Sequence, residues 1–293
     1  MKKVVLYIML AATCFATMEV ALQIAGNNLD ALQLTSLRFL IGGLVLLLPA
    51  LAEMRRNAIH FTGRDYLWML LLGTIGVAVS MLCFQLGVQR CNAATAAPLF
   101  CTNPLYTMVI AHLFTSEKMT RRKWLAFAIC FMAVLFMIRP WDVQPGNTVP
   151  GMVLLIFSAV AFSAYTVMGK RTIRRFGAVP QTSISFLFGS LVLLTVTVIT
   201  GHPVFAGVAE NWQIVVYTGL VVTGLGYLMY FLAHKASDAT TVSITFFIKP
   251  VLAPIFAILI LHETVYWNTV VGIFLLITAS VITLLDTLRN RAQ

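Results

Sequence analysis

Ten apolar runs, each about long enough to cross a bilayer, follow one another along the chain. They fall at 4–25, 31–52, 65–89, 93–115, 121–138, 150–171, 180–200, 212–235, 239–261 and 267–286. In hydrocarbon, backbone polar groups are satisfied only within helices or closed barrels. Barrel strands alternate apolar and polar residues with a period of two, and these runs do not. Only 10% of the 293 residues are Asp, Glu, Lys or Arg, and 60% are hydrophobic. A soluble domain carries about 25% charged residues, so this chain has too little polar surface to cover a water-exposed globule. That excludes an ordinary soluble enzyme, a disordered chain and a secreted disulfide scaffold. The expected fold class is an all-α polytopic membrane protein with ten transmembrane helices. The opening MKK and its apolar run extend past Glu19 to about Ala25, longer than a signal-peptide core, so the run reads as helix 1.

The charges orient the bundle. With the N-terminus in the cytoplasm, only Arg90 and Arg139 fall in outer loops, and Arg38 and Lys249 fall within spans. Every other basic residue faces the cytoplasm, so both termini are expected there. The net charge of +10 then reflects cytoplasmic loops, which can touch anionic lipid headgroups, and gives no sign of nucleic acid. Cys14, Cys83, Cys91, Cys101 and Cys130 form no CxxC pair and read as small buried hydrophobes, with no metal site among them.

The chain is also written twice. TSLRFLIGGLVLL from Thr35 matches TSISFLFGSLVLL from Thr182 at nine of 13 positions, at an offset of 147. At an offset of 146, Gly73, Ala93, Thr95, Phe100, Pro104, Ala111 and Glu117 match Gly219, Ala239, Thr241, Phe246, Pro250, Ala257 and Glu263. Two five-helix repeats, 1–138 and 150–293, are joined by a Pro- and Gly-containing extracytoplasmic linker at 139–149. Five is odd, so the second repeat must lie inverted. The loops agree: SEKMTRRK after helix 4 is basic and its partner HETVYWN is not, whereas GNNLD after helix 1 has no basic residue and its partner KRTIRR has four. Inverted repeats of this kind commonly serve alternating access.

Charged residues within the spans are candidates for function, because each costs about 2.5–3.5 kcal/mol at a lipid-facing centre. Glu19 and Arg38 share a depth toward the outside and could pair, as a substrate or proton site or as a structural lock. Lys249 stands at the centre of helix 9 just before Pro250, and its repeat equivalent Asn103 stands just before Pro104. A polar residue beside a helix-breaking proline at mid-membrane, in both halves, points to a central binding site. Phe15, Phe84, Phe100, Tyr165, Tyr230 and Phe246 are candidates to line a cavity. Glu117 and Glu263 are expected to anchor loops or cap helices. HETVY lacks the second histidine of HExxH, which removes a zinc protease reading, and His112 and His234 have no ligand-spaced partner. Trp68, Trp124, Trp141, Trp212 and Trp267 lie near span ends and read as interfacial anchors. Small residues four apart, such as Ala93 with Ala97 and Ala239 with Ser243, should permit close helix contact.

LRFLIGGLVLLLP in helix 2, the run from Asn92 through NPLYTMVIAHLFTSEKMT, and the run from Asp238 through KPVLAPIFAILILHETV resemble the EamA family of the drug/metabolite transporter superfamily. The resemblance covers almost the whole chain. It implies an inner-membrane secondary transporter with a cavity bounded by helices 1, 3, 4, 6, 8 and 9. It also implies an arginine commonly found at the position of Arg38, whereas Glu19 departs from the usual helix 1 pattern. The expected function is alternating-access transport, most readily export, of a small metabolite such as an amino acid. Glu19 would bind a proton or a substrate ammonium, Arg38 would orient Glu19 or hold a carboxylate, and Asn103 and Lys249 would add central polar contacts. A lipid flippase or scramblase of the same architecture is the alternative. No GxxxxGK[ST] motif is present, so no nucleotide or other cofactor is expected, and energy would come from a gradient. The polar residues are too dispersed for an enzyme site. The duplicated halves make a monomer self-sufficient in principle.

Overall fold

The computed structural model describes residues 2–237, 242 and 244–292, and all their regular structure is helical. Ten helical segments follow the ten predicted runs: α1 (Lys3–Gly26), α2 (Ala31–Arg56), α3 (Gly63–Val88), α4 in two pieces (Ala93–Phe100 and Asn103–Phe114), α5 (Arg121–Ile138), α6 (Val149–Phe176), α7 (Ala178–Ile199), α8 (Trp212–Ala236), α9 (Ile244–Leu261) and α10 (Trp267–Ala292). Seven are long and apolar enough to cross a membrane by length and composition. The other three differ for local reasons. The α4 segment is interrupted, α5 opens on Arg121, Arg122 and Lys123, and the described part of α9 begins at Ile244.

The segments start where a side chain can satisfy the free N–H groups of a first turn. Asp30 accepts from Leu32 and Gln33 at the head of α2, and Thr120 and Thr148 accept from Lys123 and Gly151 at the heads of α5 and α6. Thr62 and Asp65 form a capping box on α3. Gly177, at φ +87°, makes the turn between α6 and α7 that a side chain would strain.

The two prolines expected to break helices behave differently. Pro104 opens the second piece of α4 after the turn at Cys101 and Thr102. Pro250 and Pro254 lie inside an uninterrupted α9. In a first turn, as at Pro104, the missing donor costs no ladder bond, whereas inside α9 each proline removes one, yet only α4 is divided.

The halves interleave with two-fold regularity. The α1 segment packs on α8 and α9 as α6 packs on α3 and α4, while α2 packs on α7 and α5 on α10. Glycines set these approaches. A Cβ on Gly42 of α2 would stand 2.5 Å from Thr223 of α8, and one on Gly189 of α7 would stand 2.6 Å from Val77 of α3. Val77 and Thr223 both lie in π-helical stretches, Thr74–Met81 and Tyr217–Leu225, at corresponding points of the two repeats. The main core runs through both halves, with Leu22, Leu46 and Phe84 from the first and Met152, Phe186 and Leu193 from the second. Large apolar side chains such as Leu48, Phe114, Leu125, Ile199 and Phe274 cover the outside, as lipid contact requires. All five tryptophans are exposed.

Candidate functional site: a cavity between the halves

The interleaved packing leaves a cavity of about 710 Å³ walled by both halves. Phe15 and Met18 of α1, Arg38 and Phe39 of α2 and Met81 of α3 reach it from the first repeat, with Phe100, Asn103 and Pro104 from α4. The second repeat contributes Phe162, Tyr165 and Thr166 of α6, Gln181 and Thr182 of α7, and Thr223, Tyr227, Tyr230 and His234 of α8, together with Lys249 of α9. Helices 2, 7 and 10 therefore join the six that the family resemblance implied.

The cavity opens at one end of the bundle. Its walls run down to Met108 in α4, Ile173 in α6, Ala178 in α7, His234 in α8 and Leu284 in α10, which all lie toward the basic loops. The opposite end is tied shut by polar contacts. Glu263, just past α9, accepts hydrogen bonds from Ala93 N (2.8 Å) and Ala94 N (2.9 Å), capping α4 with both carboxylate oxygens. Gln23 of α1 accepts from the same Ala93 N at 3.1 Å. Gln33 donates to Val204 O and Ala206 O in the loop before α8. Glu117, the repeat equivalent of Glu263, instead pairs with Lys170 of α6 at 2.9 Å.

At mid-cavity the three charges take an arrangement that depth in the membrane did not indicate. Glu19, fully buried, pairs with Lys249 at 2.7 Å, joining α1 of one repeat to α9 of the other. The Glu19–Arg38 pairing expected from their common depth does not form. The Arg38 guanidinium lies 4.5 Å from the ring centre of Phe39, with Nη1 3.7 Å from Met18 Sδ. Its Nε and Nη2 are buried without a hydrogen-bond partner. Arg38 is 1% exposed and lines the cavity.

Phe15, Phe100, Tyr165 and Tyr230 line the cavity, and Phe84 backs it, its ring 4.6 Å from that of Phe100. The side chain of Phe246 lies outside the described residues. Phe39, Phe162 and Tyr227 complete two runs of rings. Phe39 meets Phe186 at 4.7 Å, Phe186 meets Tyr227 at 5.1 Å and Tyr227 meets Phe15 at 5.1 Å. Across the cavity Phe100, Phe162 and Tyr165 stack in turn, with Lys249 over Phe100 at 5.4 Å. Gln181 donates to Tyr165 Oη at 3.1 Å. Just past the break in α4, the Ser163 hydroxyl of α6 lies 2.7 Å from both the Asn103 carbonyl and its own-helix Ala159 carbonyl, tying α4 to α6. Nothing in the sequence distinguished Tyr227 or Gln181 from other polar and aromatic residues in the spans.

A model of the EamA-like transporter family matches the chain twice, over residues 2–139 and 149–285. An uncharacterized transporter of Clostridium kluyveri is 34% identical over 96% of this chain and 93% of its own. The S-adenosylmethionine uptake transporter of Rickettsia prowazekii is 21% identical over 87% of this chain and 83% of its own. A solved crystal structure shares the fold, with a TM-score of 0.68 at 17% identity over 98% of both chains.

Proposed function

The chain belongs to the EamA-like transporter family and is a multi-pass membrane protein, and from that premise we propose that it exports a small metabolite across the cytoplasmic membrane by alternating access. The two inverted halves, 1–138 and 150–293, would rock about the Glu19–Lys249 pair, with 139–149 as the outer linker. That pair is the observation that carries the reading. It joins the two repeats at the depth where a cavity, closed at one end and open at the other, meets both. A buried ion pair contributes little to stability beyond what apolar residues would, but it suits a contact that must break and re-form. Protonation of Glu19 would release Lys249 and loosen the α1–α9 contact. Placing the basic loops in the cytoplasm makes the open end the loading end, which supports export.

One relative's name specifies uptake of S-adenosylmethionine. That molecule carries a sulfonium, and among the described residues no Asp or Glu lines the cavity to receive one. The substrate of this chain is therefore read from its own walls.

Uptake of labelled amino acids and organic acids into proteoliposomes, with and without an imposed pH gradient, tests the reading. Saturable uptake that responds to the gradient, and loses that response in Glu19→Gln, is expected. Gradient-driven uptake unchanged in Glu19→Gln would make the pair purely structural. Rapid equilibration of labelled phospholipid with no solute uptake would replace the metabolite carrier with a lipid flippase.

A further inference from the structure

Resting on that reading, we propose that the cavity takes an amphipathic organic anion bearing one carboxylate, docked on Arg38, with its apolar body against Phe15, Phe39 and Tyr227. The charged residues in or directly behind the described wall are Arg38, Lys249 and Glu19, and the last two neutralise each other at 2.7 Å. The cavity is left with one uncompensated positive charge, on a side chain 1% exposed. A buried charge without a partner is costly, so a site that retains one is built for a ligand that completes it.

The geometry then selects the ligand group. The unpartnered nitrogens of Arg38 are Nε and Nη2, the two donors on one edge of the guanidinium, whereas Nη1 faces Met18 Sδ. That edge is the side-on fork that donates to both oxygens of a carboxylate. Phe39 holds the guanidinium plane by its ring face. Rings within about 5 Å of one another, from Phe39 through Phe186 and Tyr227 to Phe15, give the neighbouring wall a broad aromatic surface.

Other charge types fit poorly. An amino acid brings an ammonium, and the carboxylate behind the described wall, Glu19, is already paired with Lys249 at 2.7 Å, only its buried Oε2 lying outside that pair. A second carboxylate on the ligand would find the other lining cation, Lys249, already neutralised by Glu19. Soluble aryl acids and membrane-partitioned fatty acids both have the required chemistry, so the test includes one of each.

The ligands are 3-phenylpropionate, its amide, phenylalanine, phenethylamine and decanoate. Binding is read as thermal stabilisation of the purified protein, and transport as uptake or competition in proteoliposomes. The acid is expected to half-saturate at a concentration about tenfold to hundredfold below that of its amide, as a charge-assisted bidentate bond implies. Arg38→Gln should bring the acid to the level of the amide, and Arg38→Lys should retain part of the preference. Because the ligand series is run first on the wild type, the proposal can fail even where the variants do not fold. Equal response to acid and amide, a stronger response to phenylalanine or phenethylamine, or no response to either acid at millimolar concentration overturns it. Stabilisation by the acid without any uptake would keep the anion site and discard the carrier. Uptake of acid and amide alike would keep the carrier and discard the anion site. Decanoate outperforming phenylpropionate keeps the carboxylate site and assigns the ligand to the membrane phase.

Discussion

Gly42 and Gly189 hold equivalent places in the two halves, and each lets a helix close on a π-helical stretch of the opposite repeat, at Thr223 and Val77 respectively. The charged positions show no such correspondence. Arg38 is matched by Ser185 in the second repeat and Glu19 by Thr166, while Lys249 is matched by Asn103 in the first. Ser185 is spent on Tyr165, 3.2 Å away, and Thr166 on the Phe162 carbonyl, 2.8 Å away. Packing is thus two-fold and chemistry is not. A symmetric scaffold offers two related arrangements of similar energy, which alternating access needs. An asymmetric cavity gives one substrate one orientation.

The largest effect that would break this comparison comes from the charged side. Lys249→Met leaves the Glu19 carboxylate buried without its cation, and breaking such a pair costs about 3–5 kcal/mol. A large fall in melting temperature is expected, with most of it recovered in Glu19→Gln/Lys249→Met, where both charges are gone. Asn103→Ala, at the equivalent point of the other repeat, should cost less. Equal losses in the single and double charge variants would mean that the pair stabilises nothing in particular.

A smaller effect tests how far the packing symmetry extends. A Cβ on Gly73 would lie 2.2 Å from the backbone oxygen of Ser185, whereas on its equivalent Gly219 the three nearest atoms would all be side-chain atoms of Ile41, from 2.8 Å. Backbone cannot yield as a side chain can, so Gly73→Ala should destabilise by about 1–3 kcal/mol and Gly219→Ala by visibly less. Melting curves of the two variants decide it. Equal costs would show that the α2–α8 contact is as rigid as the α3–α7 contact.

The smallest effect concerns the two ends. Glu263 caps the first turn of α4, and losing a cap costs about 1 kcal/mol. Amide exchange at Ala93 and Ala94 should quicken about fivefold in Glu263→Ala. Glu117→Ala removes only a half-exposed pair with Lys170, worth at most about 1 kcal/mol, and should leave those amides unchanged. Exchange that is indifferent to Glu263 would remove the structural distinction between the closed and open ends.

Much of the fold was legible because hydrocarbon imposes it. The run lengths gave the helices, and the repeat at an offset of about 147 gave the two halves. The sequence also marked Arg38, Asn103 and Lys249 as binding or coupling candidates, because polar groups in a span must turn inward, and all three line the cavity. It placed Ala93 and Ala97 at close contacts, and they pack against α1 and α9. The partner of Glu19 was not legible. Depth along the membrane brought Glu19 beside Arg38, and only the rotation of α1 against α9 brings it to Lys249 instead. The cap on α4 was half legible, since a glutamate at a helix end suggests a cap but not which helix receives it.

The sequence by itself determined that the chain crosses the membrane repeatedly, that it consists of two related halves, and that a few ionisable groups are buried between them. These follow from local quantities: apolar length, charge count and self-similarity. The tertiary structure alone decided which of those groups meet, that one edge of Arg38 is buried without a hydrogen-bond partner, and that one end of the cavity is shut. Such facts depend on helix rotation and neighbour choice, set by close packing between residues as far apart as Glu19 and Lys249.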